Sequence, residues 1–230
     1  DDQFRFISLL SSIEILDSLG CDKALRDIHI SRGLCRIIDQ TRRPLGSKMT
    51  ALIADEISLP AAKKLVLNKN EKYLSIKRRS LSRPDNLKSN DVVRDMSEGE
   101  KILRKLIEPY KGKVILVDFW GTWCGPCRAA LSHSHDIHEY MKPYDMIFLY
   151  LANRSPEETW KNIIKEYNVT GDNVVHYNLP EAQQKAIENF LKVDAFPTYI
   201  LIDKEGNILD VNANPTHTDA FAKLVKSISE

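Results

Sequence analysis

Two of the four cysteines, Cys124 and Cys127, enclose Gly125 and Pro126 in a Cys-Gly-Pro-Cys sequence. A thiolate is the nucleophile in thiol–disulfide exchange, so two cysteines at this spacing can process a disulfide in two steps. Cys124 would attack a substrate disulfide, and Cys127 would then attack the mixed disulfide and release the product. The sequence therefore predicts a redox-active cysteine pair that needs no bound cofactor.

The cysteine pair follows an apolar run, residues 114–119, that predicts a strand, and it precedes a segment that predicts a helix. A helix N-terminus offers free N–H groups and a positive dipole potential, and both stabilise a thiolate. We therefore expect Cys124 to be the reactive thiol, with a lowered pKa. Pro126 fixes φ near the start of the helix, where its missing N–H is tolerated.

Half of a zinc site is the alternative interpretation of this pair. Structural zinc needs four ligands, so a second CxxC or a Cys/His pair would be required, and the spacing of Cys21 and Cys35 does not supply one. On one continuous helix these two cysteines would lie about 21 Å apart. A disulfide needs Cα atoms within about 7 Å. We expect no metal and two unpaired cysteines, with Cys35 on a buried face; a break at residues 31–33 would be needed to join them.

Short apolar runs alternate with helical patterns in the C-terminal part of the chain. The predicted strands are residues 114–119, 146–152, 174–177, 199–202 and 208–211. The predicted helices are residues 129–141, 157–167, 181–191 and 219–227. Such alternation predicts an α/β fold, in which a central sheet is covered by helices on both faces.

The N-terminal part reads as helical throughout. One predicted helix places Phe6, Leu9, Leu10, Ile13 and Leu16 on a single face. Asp22 can cap a second helix, whose predicted apolar face contains Leu25, Ile28, Cys35 and Ile38. A third is predicted to start around Ser58 and Pro60.

A polar stretch, residues 78–91, contains Pro84 and predicts a linker. We therefore divide the chain into an α-helical N-terminal module with its linker, residues 1–90, and an α/β domain, residues 91–230. Ser97 and Glu100 predict a capping box for the first helix of that domain.

Composition excludes several classes of function. Lys plus Arg number 33 and Asp plus Glu number 32, so there is no basic excess of the kind that nucleic-acid binders carry. The longest apolar run, residues 146–152, is far shorter than the roughly 20 residues that span a bilayer. We expect neither a nucleic-acid partner nor a membrane span in this chain. The sequence begins Asp-Asp rather than Met, so we expect a processed or trimmed product, and the lack of a signal peptide says nothing about compartment.

Two segments together resemble the thioredoxin family. The first is Val-Asp-Phe-Trp followed by Trp-Cys-Gly-Pro-Cys, at residues 117–127, and the second is Phe-Pro-Thr followed by Ile-Asp-Lys-Glu-Gly, at residues 196–206. The resemblance covers residues 97–230. It implies a thioredoxin-like three-layer α/β/α sandwich with a central mixed sheet. It also implies that Pro197 follows a cis peptide bond and faces the cysteines; the alternative is a trans proline that opens a strand.

The same resemblance implies a substrate-binding surface made by Trp123, Gly125, Pro126, Phe196 and Pro197. In the family, the tryptophan at the Trp123 position lies on the surface beside the reactive cysteine. The alternative role for Trp120 and Trp123 is aromatic packing around the start of the helix, and it fits Trp120 better than Trp123.

The interval from Ala152 to Pro197 is longer than in plain thioredoxin and leaves room for an extra helix and an extra strand. This insertion is similar to that of the TlpA-like group. That likeness implies a bacterial protein in an extracytoplasmic compartment, periplasm or cell envelope. It also implies re-reduction by an upstream thiol donor, which for an exported member can be embedded in the membrane.

Asp118 matches the buried carboxylate that thioredoxins use in proton transfer at the second cysteine. Burial would raise its pKa towards the working pH, as a general base requires. Thioredoxins pair this residue with a lysine, and residues 146–152 contain none. The alternative is a carboxylate satisfied by a neighbouring hydroxyl, such as that of Tyr150.

His133, His135 and His138 follow the cysteine pair, and only His135 and His138 share a helix face. No thiol or acidic partner is assignable, so we predict a solvated helix face rather than a metal site. The sequence as a whole predicts a thiol-disulfide oxidoreductase that reduces protein disulfides. The alternative function is a redox-inert or redox-regulated binding module that uses this fold and the helical N-terminal module.

Overall fold

The computed structural model describes residues 2–209, 211 and 213–229. The chain divides into two compact units, one ending at Arg79 and the other beginning at Ser80. Among the described helices, none has both the length and the apolar character needed to cross a bilayer. The boundary at residue 90 predicts that residues 91–230 fold as a separate domain, and this stays a prediction.

In the N-terminal unit, residues 2–79 form four α-helices: α1 (Asp2–Ser18), α2 (Lys23–Thr41), α3 (Ser47–Asp55) and α4 (Pro60–Arg78). Asp22 caps α2 as predicted, because its carboxylate accepts hydrogen bonds from the backbone N–H groups of Ala24 and Leu25. Pro60 is the first residue of α4, where its missing N–H leaves no helical bond unmade. The short helix α3 was not predicted.

The buried face of α2 differs from the predicted one. Of the predicted face, Leu25 and Ile28 are exposed and Ile38 is buried, and Ile30 and Leu34 are buried in addition. Both sets have helical spacing, so periodicity identifies two apolar stripes on α2 and cannot decide which one faces the core. Cys35 lies on the buried face, as expected.

The described residues of the second unit form five strands and six α-helices. The strands are β1 (Val114–Trp120), β2 (Met146–Ala152), β3 (Val174–Tyr177), β4 (Thr198–Ile202) and β5 (Ile208–Leu209). The helices are α5 (Gly99–Ile107), α6 (Gly125–Leu131), α7 (Ser134–Met141), α8 (Glu157–Tyr167), α9 (Glu181–Phe190) and α10 (Thr218–Ser227). The predicted helix 129–141 is therefore two helices, and it starts earlier than predicted. In the predicted strand 208–211, residue 210 lies outside the described residues and Val211 lies in a bend.

The strands form one mixed sheet in the order β3-β2-β1-β4-β5. β1 pairs in parallel with β2, and β2 pairs in parallel with β3. β4 runs antiparallel to β1 and to β5. Because β1 is central and parallel to β2, the segments that follow these two strands emerge at the same edge of the sheet. The cysteine pair follows β1 at that edge.

Two apolar clusters lie on opposite faces of the sheet. Leu116 and Trp120 of β1 pack in one cluster with residues of α6, α7, α8 and α10. Ile115, Val117 and Phe119 point to the other face and pack with residues of α5 and α9. Each strand of the centre is buried on both sides, and the predicted three-layer α/β/α sandwich is confirmed.

Residues of the predicted linker stretch bond to the edge of this sheet. The Asn86 amide exchanges two hydrogen bonds of 3.0 Å with the backbone of Gly171, and Leu87 forms a parallel bridge with His176 of β3. Asn90 donates from its amide to the carbonyl of Asn178 at 2.8 Å. The segment between residues 80 and 93 is thus part of the second unit.

The predicted capping box is wrong. The N-cap residue of α5 is Glu98, which makes no side-chain cap bond, and Glu100 instead forms an ion pair with Arg104 one turn later. Gly99 opens the helix because α5 passes very close to α9. A Cβ atom at Gly99 would lie 2.0 Å from the carbonyl oxygen of Ala186.

Candidate active site

Cys124 and Cys127 are joined by a disulfide, with their Cα atoms 5.3 Å apart. Cys124 is the N-cap residue of α6, and its Sγ accepts a hydrogen bond from the backbone N–H of Cys127 at 3.1 Å. Cys124 is 4% exposed and Cys127 is 1% exposed. Cys124 is therefore the sulfur that an incoming disulfide can reach first, and Cys127 is held behind it.

Asp118 lies in β1, on the sheet face that carries both cysteines. The residue is only 7% exposed, and its Oδ1 atom has no hydrogen-bond partner among the described residues. Burial therefore raises the pKa of the carboxyl group to about 8 in this disulfide form. A group with that pKa can both hold and release a proton near neutral pH.

Two tyrosines flank Asp118 in the sheet. Tyr150 of β2 is its register partner on one side, and Tyr199 of β4 is its register partner on the other. The Tyr150 hydroxyl bonds to His138 Nε2 at 2.8 Å and makes no hydrogen bond to Asp118 within the described residues, so the interpretation in which this hydroxyl satisfies the carboxylate is wrong. Asp118 thus lies between two aromatic side chains and has no cationic partner opposite it.

Trp123 is 49% exposed and lies directly before Cys124. Its ring meets that of Phe196 edge to face, with the centroids 5.3 Å apart. The Phe196–Pro197 peptide bond is cis, as the resemblance implied. Gly125 and Pro126 are exposed on the other side of Cys124. Of the predicted substrate-binding residues, Trp123, directly before Cys124 in the chain, is thus in contact with Phe196, whereas Trp120 is buried, as expected.

A short loop after β2 fixes the position of Trp123, and sequence reasoning missed it. The Asn153 carbonyl accepts hydrogen bonds from Trp123 Nε1 at 3.2 Å and from Ser155 Oγ at 2.9 Å. Ser155 Oγ in turn accepts from the backbone N–H of Thr122 at 3.0 Å. The signal that could have revealed this loop is its place after β2, because parallel strands end at the same edge of a sheet.

Comparison with known proteins gives the family. A family model described as thioredoxin-like matches residues 112–208. ResA, a thiol-disulfide oxidoreductase of Bacillus cereus, is 32% identical over 123 residues, which are 53% of this chain and 64% of ResA. ResA of Bacillus thuringiensis subsp. konkukian is 31% identical over 142 residues, which are 61% of this chain and 75% of that protein. The match therefore spans less than two thirds of the first relative and three quarters of the second.

This chain belongs to the thioredoxin-like thiol-disulfide oxidoreductases. The predicted family, fold class and enzyme class are confirmed. Among solved structures, the thioredoxin domain of a thiol-disulfide oxidoreductase from Bacteroides vulgatus is 26% identical, with a TM-score of 0.44. That comparison covers 53% of this chain and 84% of the other.

The structure contains a buried polar cluster of His138, Tyr150 and His176 that was not predicted from the sequence. His138 is buried rather than solvated, so that part of the histidine prediction is wrong, while His133 and His135 are exposed. Tyr150 bonds to His138 and stacks on the buried ring of His176, with the centroids 4.8 Å apart. Burial lowers the pKa of His138 to about 3 and that of His176 to about 4. Both imidazoles are therefore neutral at physiological pH.

Metal-binding clusters are missing from the part of the chain that the structure describes: no three His, Cys, Asp or Glu residues come together there. Cys21 and Cys35 are unpaired, as predicted. Burial raises the pKa of the Cys35 thiol, so this cysteine lacks the thiolate character that disulfide exchange requires.

Proposed function

We propose that this chain reduces protein disulfides, with Cys124 as the attacking thiolate and Cys127 as the resolving thiol. The observation that carries the proposal is the bonded Cys124–Cys127 pair at the N-cap of α6, on the sheet face that holds Asp118. The names of the relatives give the reaction class without its direction. The Gly-Pro between the cysteines resembles reducing thioredoxins and favours reduction.

The reaction has two exchange steps and transfers two electrons to the substrate. The Cys124 thiolate attacks one sulfur of the substrate disulfide, which forms a mixed disulfide and releases the first substrate thiolate. Cys127 loses its proton and attacks the Cys124 sulfur. The Cys124–Cys127 disulfide forms, and the second substrate thiolate leaves.

Asp118 is proposed to accept the Cys127 proton in the second step. A carboxylate with a pKa near 8 is matched to this transfer, since a much more acidic group would be a weaker base. Its burial on the face of the sheet below the cysteines supports the assignment.

Trp123, Gly125, Pro126, Phe196 and Pro197 are proposed to bind the substrate chain. The exposed indole of Trp123 packed against Phe196 offers apolar area beside a largely covered disulfide. A substrate that lies on this surface would place its sulfur over Cys124. Tryptophan is enriched at protein interfaces, because it combines a large apolar area with one polar N–H group.

The oxidised pair must be reduced again before the next turnover. We propose a dithiol protein as the electron donor, embedded in the membrane if the chain is exported. Extracytoplasmic location in a bacterium, periplasmic or at the cell envelope, is proposed from the likeness to TlpA-like proteins and to ResA. No further cofactor is expected, because the sulfur pair itself carries both electrons.

Residues 91–230 are proposed as the catalytic domain and residues 1–90 as a helical module. A fragment of residues 91–230 lacks the Asn86–Gly171 bonds, whereas a fragment of residues 80–230 keeps them. Both should reduce a generic protein disulfide if the boundary at residue 90 is right. Activity in the longer fragment alone would move the boundary to residue 80.

The decisive experiment is the reduction potential of the Cys124–Cys127 pair, measured against defined dithiol buffers with mass-spectrometric mapping of each cysteine. A midpoint near that of thioredoxin, about −270 mV, or lower supports a reductase. A midpoint near that of the strong oxidants, about −120 mV, would reverse the direction and indicate disulfide formation. Failure of the pair to cycle at any potential would replace the enzyme with a binding module.

A further inference from the structure

The loop after β2 carries an arginine, Arg154, at the rim of the cysteine pair. The guanidinium carbon of Arg154 lies 5.8 Å from the centroid of the Trp123 ring. Trp123 directly precedes Cys124 and is itself half exposed. A positive charge over this indole is therefore close to the surface on which a substrate chain would lie.

A buried carboxylate fixes the loop that carries Arg154. Glu188 is 2% exposed and accepts hydrogen bonds through Oε1 from Asn153 Nδ2 at 2.6 Å and from Gln184 Nε2 at 3.1 Å. The Asn153 amide is thereby oriented so that its oxygen accepts from Arg154 Nε at 3.3 Å. The same residue binds Trp123 through its carbonyl, so one asparagine positions both the indole and the guanidinium.

Arg154 also has an unusual backbone conformation. Its φ is +39°, in the left-handed region that non-glycine residues rarely adopt. Residues held in such conformations cluster at ligand-binding and catalytic sites, where the surrounding structure compensates for the strain. The bonds made by Asn153 and Ser155 on either side provide that compensation here.

The charge of Arg154 is uncompensated, unlike that of the other exposed arginines of this unit. Arg83, Arg94 and Arg104 each form an ion pair, with Asp172, Asp91 and Glu100 respectively. Within the described residues, no carboxylate pairs with Arg154, whose polar contact is the neutral Asn153. Glu188 bonds to two amides, and the cation nearest to it among the described residues is Lys185, at 3.9 Å. Apart from Nε, the guanidinium donors of Arg154 contact no described acceptor and are available to an incoming group.

We infer that Arg154 selects substrate chains that carry an acidic side chain next to the reacting cysteine. A guanidinium fork matches a carboxylate in geometry, and its stacking on an indole orients it towards solvent. A charge pair at such a rim raises the association rate and the specificity more than the affinity. This inference rests on the proposed reductase function and narrows its substrate class.

Three disulfide-bonded peptide substrates test the inference, identical except for Asp, Asn or Lys beside the cysteine. With the full chain, kcat/KM for the Asp peptide should exceed that for the Asn peptide by about fivefold, as expected for an exposed ion pair of about 1 kcal/mol. The Lys peptide should be the poorest substrate. The preference should shrink between about 0.02 M and about 0.5 M salt, because exposed charges are screened.

Arg154→Gln should bring the Asp peptide down to the level of the Asn peptide, mainly through KM, and Arg154→Lys should restore part of the preference. Arg94→Gln is the matched control, because it removes an equal charge from an exposed arginine and should keep the full preference. Thermal unfolding of each variant confirms that it folds.

Two results would overturn the inference while leaving the reductase function in place. One is an Arg154→Gln variant that keeps the preference. The other is a variant that slows all three peptides by one factor and shifts the pH dependence of Cys124 alkylation, since Arg154 would then act on the thiolate. Absence of turnover with every peptide in the unmodified chain would overturn the reductase function and the inference with it.

Discussion

Among the residues that the structure describes, each unit contains one buried aspartate, and the two have opposite electrostatics. Asp27 in the helical unit accepts three hydrogen bonds through Oδ2: from the backbone and the hydroxyl of Ser58 at 2.8 and 2.9 Å, and from the backbone of Leu59 at 2.6 Å. Burial alone would raise the pKa of Asp27, but these bonds outweigh it and the pKa is lowered. Asp118 in the thioredoxin-like unit has no such donors, and burial raises its pKa.

The difference shows that burial alone does not create a proton-transfer group. Asp27 is as deeply buried as Asp118, yet its charge is stabilised by the chain that begins α4. Asp118 lies between Tyr150 and Tyr199 on strands whose backbone groups are already paired in the sheet. A buried carboxyl group without hydrogen-bond donors stays protonated to a higher pH, because nothing stabilises its charged form. Such a group can exchange a proton with a cysteine thiol near neutral pH.

The cysteines show the same contrast between the units, and substitution there should have the largest effect. Cys124→Ser should abolish reduction of a generic protein disulfide, because the nucleophile is lost. Cys35→Ala should keep the activity, since its buried thiol takes no part. Turnover of a protein disulfide in excess dithiol measures both, and residual activity in Cys124→Ser would contradict the assignment.

Asp118→Asn should slow turnover by about 10²-fold at neutral pH, the lower end of what a general base contributes. The rate of the unmodified chain should rise as pH increases through about 8, because the ionised carboxylate is the form that accepts the Cys127 proton. That rise should be lost in Asp118→Asn. A pH–rate profile measures it, with Asp27→Asn as the matched variant that keeps both the rate and the rise.

The stability of Asp118→Asn should change in the opposite direction to its activity. Between the ordinary pKa of 3.8 and the folded-state value of about 8, only the folded state holds the proton, so stability falls as pH rises through this range. Asn does not titrate, so the variant should not lose stability as the pH rises through this range. At pH values above 8 the variant should be more stable by at least about 1.4 kcal/mol, the equivalent of one pKa unit. Urea unfolding at several pH values checks this, and a less stable variant would contradict it.

Asp27→Ala should destabilise the helical unit by about 2 kcal/mol, because three donors lose a charged acceptor. Reduction of a protein disulfide should continue at its usual rate wherever the chain remains folded. Helical circular dichroism during urea unfolding measures the loss. Asp27→Asn keeps one acceptor oxygen and should be intermediate.

The smallest expected effect is on stability in acid and comes from buried His138. The hydrogen-bond partner of His138, Tyr150, is the register partner of Asp118 in the sheet. The folded-state pKa of His138 is about 3, so the unfolded chain takes up a proton that the folded chain does not as pH falls from about 6.5. Stability is lost over that range. His138→Gln keeps a hydrogen-bonding group for Tyr150 and should retain at least about 1 kcal/mol more of its neutral-pH stability at pH 4.5, which is two pKa units below the ordinary value of 6.5. An unchanged acid dependence would show that His138 does not titrate in this way.

Local patterns predicted the elements whose boundaries lie in strong apolar runs. Strands β2 and β3 and helix α8 have the predicted bounds, because their apolar residues end abruptly at polar turns. The Ser132-His133 turn between α6 and α7 escaped prediction, since the polar residues there fit a helix surface equally well. The Ser97–Glu100 capping box failed for a different reason: α5 has Glu98 rather than Ser97 at its N-cap, and Glu100 forms an ion pair with Arg104.

The loop Asn153–Ser155 could not have been placed at the site from its own sequence. Its polar residues are typical of any turn, and their role comes from Glu188, which lies on a different helix and is far away in the chain. His138 was misjudged for a related reason, because its only polar contact among those described is Tyr150, on the neighbouring strand β2.

The sequence by itself determined the reacting atoms of this protein, because disulfide exchange needs two thiols at a short, fixed spacing and that spacing is covalent. It also determined the family, through the residues on either side of Cys124 and around Pro197. The tertiary structure decided what surrounds those atoms: which carboxylate lacks hydrogen-bond donors, which histidine is buried and which arginine keeps a free charge. These properties depend on strands and helices that meet only when the chain folds, since solvent access and hydrogen-bond partners are set by residues distant in sequence.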